Sequence, residues 1–381
     1  MRTNERPAPG EHVPRVGICA AGEIWGGVEE FVLTLAQGLK TRGIYTRAIL
    51  FYDAGLAHRL RDLAVPVDIV PSRSVHDIGQ IRSVELLVRD QALNVLHVHG
   101  YRATVVGAAA CARAKGVAMV RTEHGRLEFP SGWTELPRFA RLAANVALER
   151  LASRCRVDEV AYVSEDTRRG AERWAGRGRV IYNGVDPRDI RRRAGRAPVG
   201  HDGFTMGIVG RLSAVKGHAD LFRAVAELPP SVVLKVFGTG PDEMPLRHLA
   251  SQLGVADRVR FMGFVSPVYR ALAELDLLVM PSLHEGLPYV LLEAMSLGTP
   301  VVASRVGGLA EALEDGVTGV LVAPRNPQML AHAIRALHLD PVRRRLIARR
   351  ALATVARRFS ARQMVGHYVD LYSVASTARR L

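Results

Sequence analysis

What the 381-residue chain has least of narrows its class first. It holds three cysteines, Cys19, Cys111 and Cys155, scattered in apolar settings. That excludes a disulfide framework, and the spacing is not that of metal ligands; they read as free buried thiols of a reducing compartment. No run of 18 or more uninterrupted apolar residues occurs, so no transmembrane helix is expected. The opening MRTNERPAPGEHVP is polar and proline-rich, without the apolar centre of a signal peptide, and residues 1–14 read as a flexible tail. Aromatic residues make up only 6% and do not interleave with a basic stripe. With no helix-turn-helix or RNA-binding signature either, nucleic acid is not an expected partner. Lysine is the scarce cation: Lys40, Lys115, Lys216 and Lys235 are all there are, and arginine supplies the rest of a net charge of +15. A GC-rich genome produces that bias without any partner. Phosphorylated substrates and an anionic membrane surface stay open as the alternative.

Length and hydrophobicity, 48% apolar, suit two α/β cores better than one. Short β-branched runs alternate with helical stretches, the pattern of parallel βαβ units. A first series of strands is expected at 16–20, 46–51, 67–70, 95–98, 117–121, 159–163 and 180–182. A second is expected at 204–209, 232–237, 259–262, 277–280, 299–303 and 319–322. This gives an N-terminal domain over 15–185 and a C-terminal domain over 203–361. The Arg-, Pro- and Gly-rich stretch 186–202, with Arg191, Arg192, Arg193 and Arg196, reads as a solvated linker between them. From Pro341 the chain is helical and lacks strands.

Four places carry candidate chemistry. The run PSLHEGLPYVLLEAMSLGTPVVAS holds Glu285 in a turn after a strand and Glu293 in an apolar helical segment. At about 1.5 Å of rise per residue the two carboxylates lie roughly 12 Å apart along one axis. That is too far to share a proton and suits gripping two ends of one elongated ligand. A carboxylate in an apolar helix needs hydrogen-bond partners, and polyol hydroxyls are good ones. Next, GRLSAVKGH sets Arg211 and Lys216 between a strand end and a helix start, where cations oppose the helix dipole unless an anion neutralises them. The first strand runs into Gly26 and Gly27 before a long helix, a junction that offers unpaired N–H groups to an anion. Finally, His97 and His99 in VLHVHG, and Glu123 and His124 in VRTEHG, end two strands, where α/β sheets bind ligands.

These motifs together resemble the retaining glycosyltransferases of family 4 (glycosyl transferases group 1), which have the GT-B architecture. The E-x7-E pair Glu285/Glu293, the G-R-x4-K-G element of Arg211 and Lys216, and the Gly-Gly loop carry the resemblance. The elements VFGTGPD, FMGFV and VGGLAE carry it further. It extends over nearly the whole chain after residue 14. It implies two Rossmann-like domains facing across a cleft, an N-terminal acceptor domain and a C-terminal donor domain, with the last helix, about 362–381, packing back on the first domain. It implies a hexosyltransferase that moves a sugar from a nucleoside diphosphate sugar, UDP- or GDP-linked, to an acceptor hydroxyl with retention of configuration.

By the same resemblance Glu293 holds the ribose, and Arg211 and Lys216 hold the diphosphate with Gly27. Glu285, Gly286 and Leu287 meet the donor sugar, and Gly238 and Val265 flank the base. His124 faces the donor sugar; apart from the resemblance, His99 and Glu123, at strand ends of the first domain, are candidates for the acceptor side. Glu285, His124, Arg211 and Lys216 form the catalytic set. The sequence has no D-x-D pair, and fixed cations can stabilise a departing diphosphate directly, so metal-independent chemistry without a cofactor is expected. One departure is Pro288, which has no N–H to offer a sugar hydroxyl. The acceptor is a glycan, a lipid-linked molecule or a small molecule, in polysaccharide, glycolipid or cell-envelope assembly. The amphipathic stretch 133–154, with Arg138, Arg141, Arg150 and Arg154, is either a core-packing helix or a basic face for anionic lipid, so the protein is expected in the cytoplasm or at the inner membrane face. A sugar-nucleotide epimerase or hydrolase of the same architecture, and a catalytically inactive sugar-nucleotide-binding protein, remain as alternatives.

Overall fold

A computed structural model describes residues 13–71, 77–125, 136–195 and 203–379, with side chains left aside for 136–141. The chain divides into two compact units. The first comprises residues 1–163, 167–182 and 361–381; the second comprises 164–166 and 183–360.

Among the described residues the first unit has seven parallel strands: β1 (Arg15–Ala20), β2 (Tyr45–Leu50), β3 (Val67–Ile69), β4 (Val95–His99), β5 (Ala118–Glu123), β6 (Glu159–Tyr162) and β7 (Gly178–Val180). Their order is β3-β2-β1-β4-β5-β6-β7. The second unit has six: β8 (Phe204–Val209), β9 (Val232–Phe237), β10 (Val259–Gly263), β11 (Leu277–Met280), β12 (Val301–Ser304) and β13 (Val320–Val322). Their order is β10-β9-β8-β11-β12-β13. In each sheet the order reverses beside the first strand, so the loops after β1 and β4, and after β8 and β11, diverge there. Open parallel sheets take their ligands at such a point. The central strands are buried from end to end, for example β4 and β11, as strands covered by helices on both faces must be. Phe204, Met206, Ile208, Leu234, Val236, Leu277 and Val279 lead one core; Ile49, Leu96, Val98 and Met119 lead the other.

The strands follow the sequence reading with one displacement. The run expected at 180–182 forms its strand at Gly178–Val180, pairing Tyr162 with Val180. Gly178 lies so close to the Val160 carbonyl that a Cβ there would collide with it. The expected linker also differs. Pro187–Ala194 is a helix, capped by Asp186, whose carboxylate accepts from the amides of Arg188 and Asp189. It buries Ile190 and Ala194 against the second unit. Its arginines are the outer face of a packed helix, and residues 196–202 lie outside the described set, as do residues 1–12 of the tail and 133–135 of the amphipathic stretch.

The last helix, Ala361–Ala378, belongs to the first unit and packs on the helix Gly27–Thr41 and on β4 and β5. Val365 fits against Gly38, where no larger residue has room. Two tyrosines one turn apart dock its inner face. Tyr372 Oη lies 2.7 Å from His97 Nδ1, and Tyr368 Oη lies 2.9 Å from Thr122 Oγ1, which in turn lies 2.8 Å from His97 Nε2. Every one of these groups is buried. Removing one partner leaves a buried polar atom unpaired, at a cost of roughly 1–3 kcal/mol. Tyr372→Phe is therefore expected to lower the first unit's unfolding free energy by that amount, read as a lower urea midpoint, while Tyr372→Leu, which also opens a cavity, lowers it further. An unchanged midpoint in Tyr372→Phe would show that packing alone holds the helix.

Candidate active site

In the second unit the candidate residues line the C-terminal edge of the sheet. β8 ends at Val209 and is followed by Gly210, Arg211, a single 3-10 turn at Ala214–Lys216, and Gly217 in the left-handed region at φ 71°. β11 ends in the loop 281–288, and the helix Tyr289–Leu297 follows with Pro288 as its cap. The two loops are locked backbone to backbone. Leu283 donates to the Val215 carbonyl at 2.7 Å, and Gly217 sits directly against the Pro281 carbonyl. On the other side Gly307, at φ 45°, and Gly308 press on the carbonyls of Glu285 and Gly286, and the Gly308 amide donates to Glu285 at 3.2 Å. Asn183 adds a side-chain bond to the Leu287 carbonyl at 2.6 Å.

This clamp fixes Glu285. Its Oε1 accepts from Lys216 Nζ at 2.7 Å and from Ser282 Oγ at 2.8 Å. Oε2 has no partner among the described residues, although Glu285 is buried. The amides of Gly286 and Leu287, also buried, make no hydrogen bond to another described residue. A carboxylate oxygen and two amides are therefore left for a ligand in one short loop. Lys216 has its anion within the protein, so the helix-dipole argument for a bound anion applies to Arg211 alone. The Arg211 side chain is exposed and makes no ion pair among the described residues. Glu293 lies inside the helix Tyr289–Leu297 and is buried. Because that helix begins only at Tyr289, Glu285 and Glu293 do not share one axis. Gly238, at φ 133°, stacks on the Gly210 carbonyl and donates to Gly263 at 2.7 Å. Val265 and its neighbour Phe264 are both exposed. Sequence reasoning missed Ser282, Asn183, Gly307 and Gly308 as parts of this site; the glycine pair was the available signal.

In the first unit, His97 and His99 share one face of β4, as alternation requires, and His124 follows β5. His99 Nδ1 lies 3.0 Å from His124 Nε2. The Phe31 ring lies 5.2 Å from His99 and 4.9 Å from His124. Burial, reinforced by neighbouring imidazoles, pushes His97 and His99 well below the ordinary histidine range. Burial, with the Arg121 charge second, pushes His124 down to about 3. All three are neutral at pH 7.

Glu123 sits elsewhere. Its carboxylate accepts from Arg121 at 2.6 Å, and the same guanidinium nitrogen donates to Glu149 at 2.8 Å. By strand alternation it points to the face opposite Thr122, so it is not brought together with His99 and His124. Gly27 opens the helix Gly27–Thr41, yet no strain or packing demands glycine there: a Cβ would meet nothing within 4 Å. The same helix start already carries Glu29, whose carboxyl is raised by burial to about 7, with the backbone at Gly26 and Glu29 opposing the rise.

Two family models match the chain: Glycosyltransferase Family 4 over residues 25–189, and Glycosyl transferases group 1 over residues 192–354. A D-inositol 3-phosphate glycosyltransferase of Corynebacterium efficiens is 39% identical over 184 residues, 45% of this chain and 42% of that protein. The lipopolysaccharide core biosynthesis glycosyltransferase LpsE of Rhizobium meliloti is 37% identical over 163 residues, 43% of this chain and 48% of that protein. The chain thus spans about half the length of the curated relatives it matches. HepE of Anabaena, solved in complex with UDP and glucose, superposes with a TM-score of 0.80 at 25% identity, over 94% of this chain and 99% of that one. No helix among the described residues is long and apolar enough to cross a membrane.

The Arg121 triad gives a pH test. One guanidinium cannot neutralise two buried carboxylates, and burial raises Glu123 from its ordinary 4.5 to about 7. Between those values Glu123 holds more proton in the folded chain than in the unfolded one, so its contribution to stability is full below pH 4.5 and is lost as the pH rises through 7. Glu123→Gln, which can still accept from Arg121, is expected to remove this part of the pH dependence of the urea midpoint between pH 5 and pH 8, leaving the parts due to Glu29, Glu149 and the buried histidines. A slope equal to the unsubstituted protein's would show that Glu123 is ionised throughout.

Proposed function

Because the chain belongs to the family 4 glycosyltransferases of group 1, with their GT-B fold, we propose that it transfers a hexosyl group from a nucleoside diphosphate sugar to an acceptor hydroxyl with retention of configuration. The observation that carries this reading is the Glu285 loop. Its carboxylate is fixed through one oxygen, and its other oxygen and the amides of Gly286 and Leu287 are left for ligand hydroxyls. The UDP and glucose held by HepE favour a UDP-linked donor.

In this reading the bond from the sugar's anomeric carbon to the diphosphate oxygen breaks, and its electron pair leaves with the diphosphate. Arg211, exposed at the end of β8, and the Lys216 ammonium stabilise that growing negative charge without a metal ion or cofactor. Glu285 offsets positive character at the anomeric carbon while it is bonded to Lys216. The acceptor oxygen bonds to the same face, and its proton passes to the departing phosphate. Glu293 holds the ribose, Gly238 and Val265 flank the base, and His124 meets the sugar. The acceptor is a polyol or a glycan, as the names of the inositol-phosphate and lipopolysaccharide-core relatives suggest. Cytoplasmic work at the inner membrane face fits a lipid-linked acceptor, and the helix Leu136–Arg156 offers the exposed Leu151 between Arg150 and Arg154 to such a surface.

Calorimetric titration with UDP-, GDP- and ADP-sugars in the presence of EDTA tests the donor site. One nucleotide class is expected to bind, with roughly tenfold or greater loss in Arg211→Ala, the equivalent of one charge-assisted hydrogen bond. Glu285→Gln is expected to leave that binding within a few-fold and to cut turnover by about a hundredfold or more, the range for removing one transition-state contact. Failure of every nucleotide sugar to bind would overturn the reading, and sugar release without any acceptor would replace it with hydrolysis.

A further inference from the structure

His99 and His124 are linked by one hydrogen bond, and its direction decides what His124 can do. Each neutral imidazole has one N–H and one lone pair. With His99 Nδ1 and His124 Nε2 3.0 Å apart, one of these two nitrogens carries the shared hydrogen. The remaining nitrogens, His99 Nε2 and His124 Nδ1, must then have opposite characters. If His99 donates, His99 Nε2 is a bare lone pair and His124 carries its hydrogen on Nδ1. If His124 donates, His99 Nε2 bears a hydrogen and His124 Nδ1 is the lone pair.

Burial separates the two cases. His99 is 2% exposed, and its Nε2 is buried without a hydrogen-bond partner among the described residues. A buried N–H without an acceptor is rarer and costlier than a buried acceptor left unused. The ring cannot turn away to find a partner. His97 lies beside it with centroids 4.2 Å apart, itself held at both nitrogens by Tyr372 and Thr122, and Phe31 covers the rings of His99 and His124. The hydrogen of His99 therefore belongs on Nδ1, pointing at His124. His124, by contrast, is only half-buried and keeps Nδ1 for whatever reaches it.

We propose that His99 is a positioning residue that holds His124 as its Nδ1–H tautomer, so that His124 meets the substrate as a neutral donor to a hydroxyl oxygen and not as a proton acceptor. The proposal rests on the reading of His124 as substrate-facing; the hydrogen-bond geometry itself does not. In general the bond made by one ring nitrogen sets the tautomer of the other, and a histidine of this kind can orient a sugar hydroxyl without titrating near pH 7.

The test uses the full chain labelled with [15N]histidine and two-bond proton–nitrogen correlation spectra, in which protonated and bare ring nitrogens differ strongly. His124 is expected to show a protonated Nδ1 and a bare Nε2. In His99→Leu the preference is expected to disappear, and in His99→Asn, whose amide can donate from the place of Nδ1, it is expected to return. A protonated Nε2 on His124 in the unsubstituted protein overturns the proposal, as does an unchanged His124 tautomer in His99→Leu. If His99→Leu does not fold, the unsubstituted spectrum and the His99→Asn spectrum still decide. Where transfer is measurable, His99→Leu is expected to lower kcat roughly tenfold, the rate equivalent of one hydrogen bond, with His99→Asn recovering most of it. A correct tautomer with no sugar transfer would sink the functional reading alone; transfer with the opposite tautomer would sink this proposal alone.

Discussion

The carboxylate of Glu285 keeps its place because the loop that carries it is pressed by backbone on two sides. Gly217 leans on the Pro281 carbonyl, and Gly307 and Gly308 lean on those of Glu285 and Gly286. Main chain meeting main chain leaves no slack of the kind that a side chain's rotamers provide. Within that clamp, Lys216 and Ser282 share a single oxygen of the carboxylate and set its orientation. The ion pair is partly buried, so its worth lies less in stability than in fixing a charge at one place. The strand order does the rest, because β8, β11 and β12 are neighbours and bring three loops distant in sequence to one edge of the sheet.

The first unit follows a different logic. Its polar centre is a set of neutral rings, and it is ordered by hydrogen bonds and edge contacts instead of charge. Phe31, Tyr368 and Tyr372 form its walls, and the three histidines are kept uncharged by burial, reinforced by their positive or imidazole neighbours. Charge is confined to the opposite face of β5, where Arg121 divides itself between Glu123 and Glu149. Alternation along one strand thus separates an ionic network from an uncharged one.

The sheets were legible in the sequence because parallel strands buried on both faces read as unbroken β-branched runs; Phe204–Val209 and Val232–Phe237 fall where the pattern puts them. The site was legible where residue type and spacing are local, as in the glutamate pair and the arginine and lysine of the β8 loop. What was hidden is non-local. Nothing in the sequence joins Lys216 to Glu285, 69 residues on, or His97 to Tyr372, 275 residues on. The helix Pro187–Ala194 was masked by its own arginines, which outnumber the two residues, Ile190 and Ala194, that it buries. The solvated-linker reading weighed composition where packing decided.

The docking of the last helix has a consequence for how the molecule is made. During synthesis the first unit's strands and the helix Gly27–Thr41 emerge first, but their polar centre stays open, with His97 and Thr122 facing solvent. The second unit, 183–360, is contiguous apart from residues 164–166 and can close as soon as it leaves the ribosome. Only when residues 361–378 follow do Tyr368 and Tyr372 reach their partners. The first unit is therefore finished only after the second has been made, and its histidine centre assembles only once residues 361–378 have been translated.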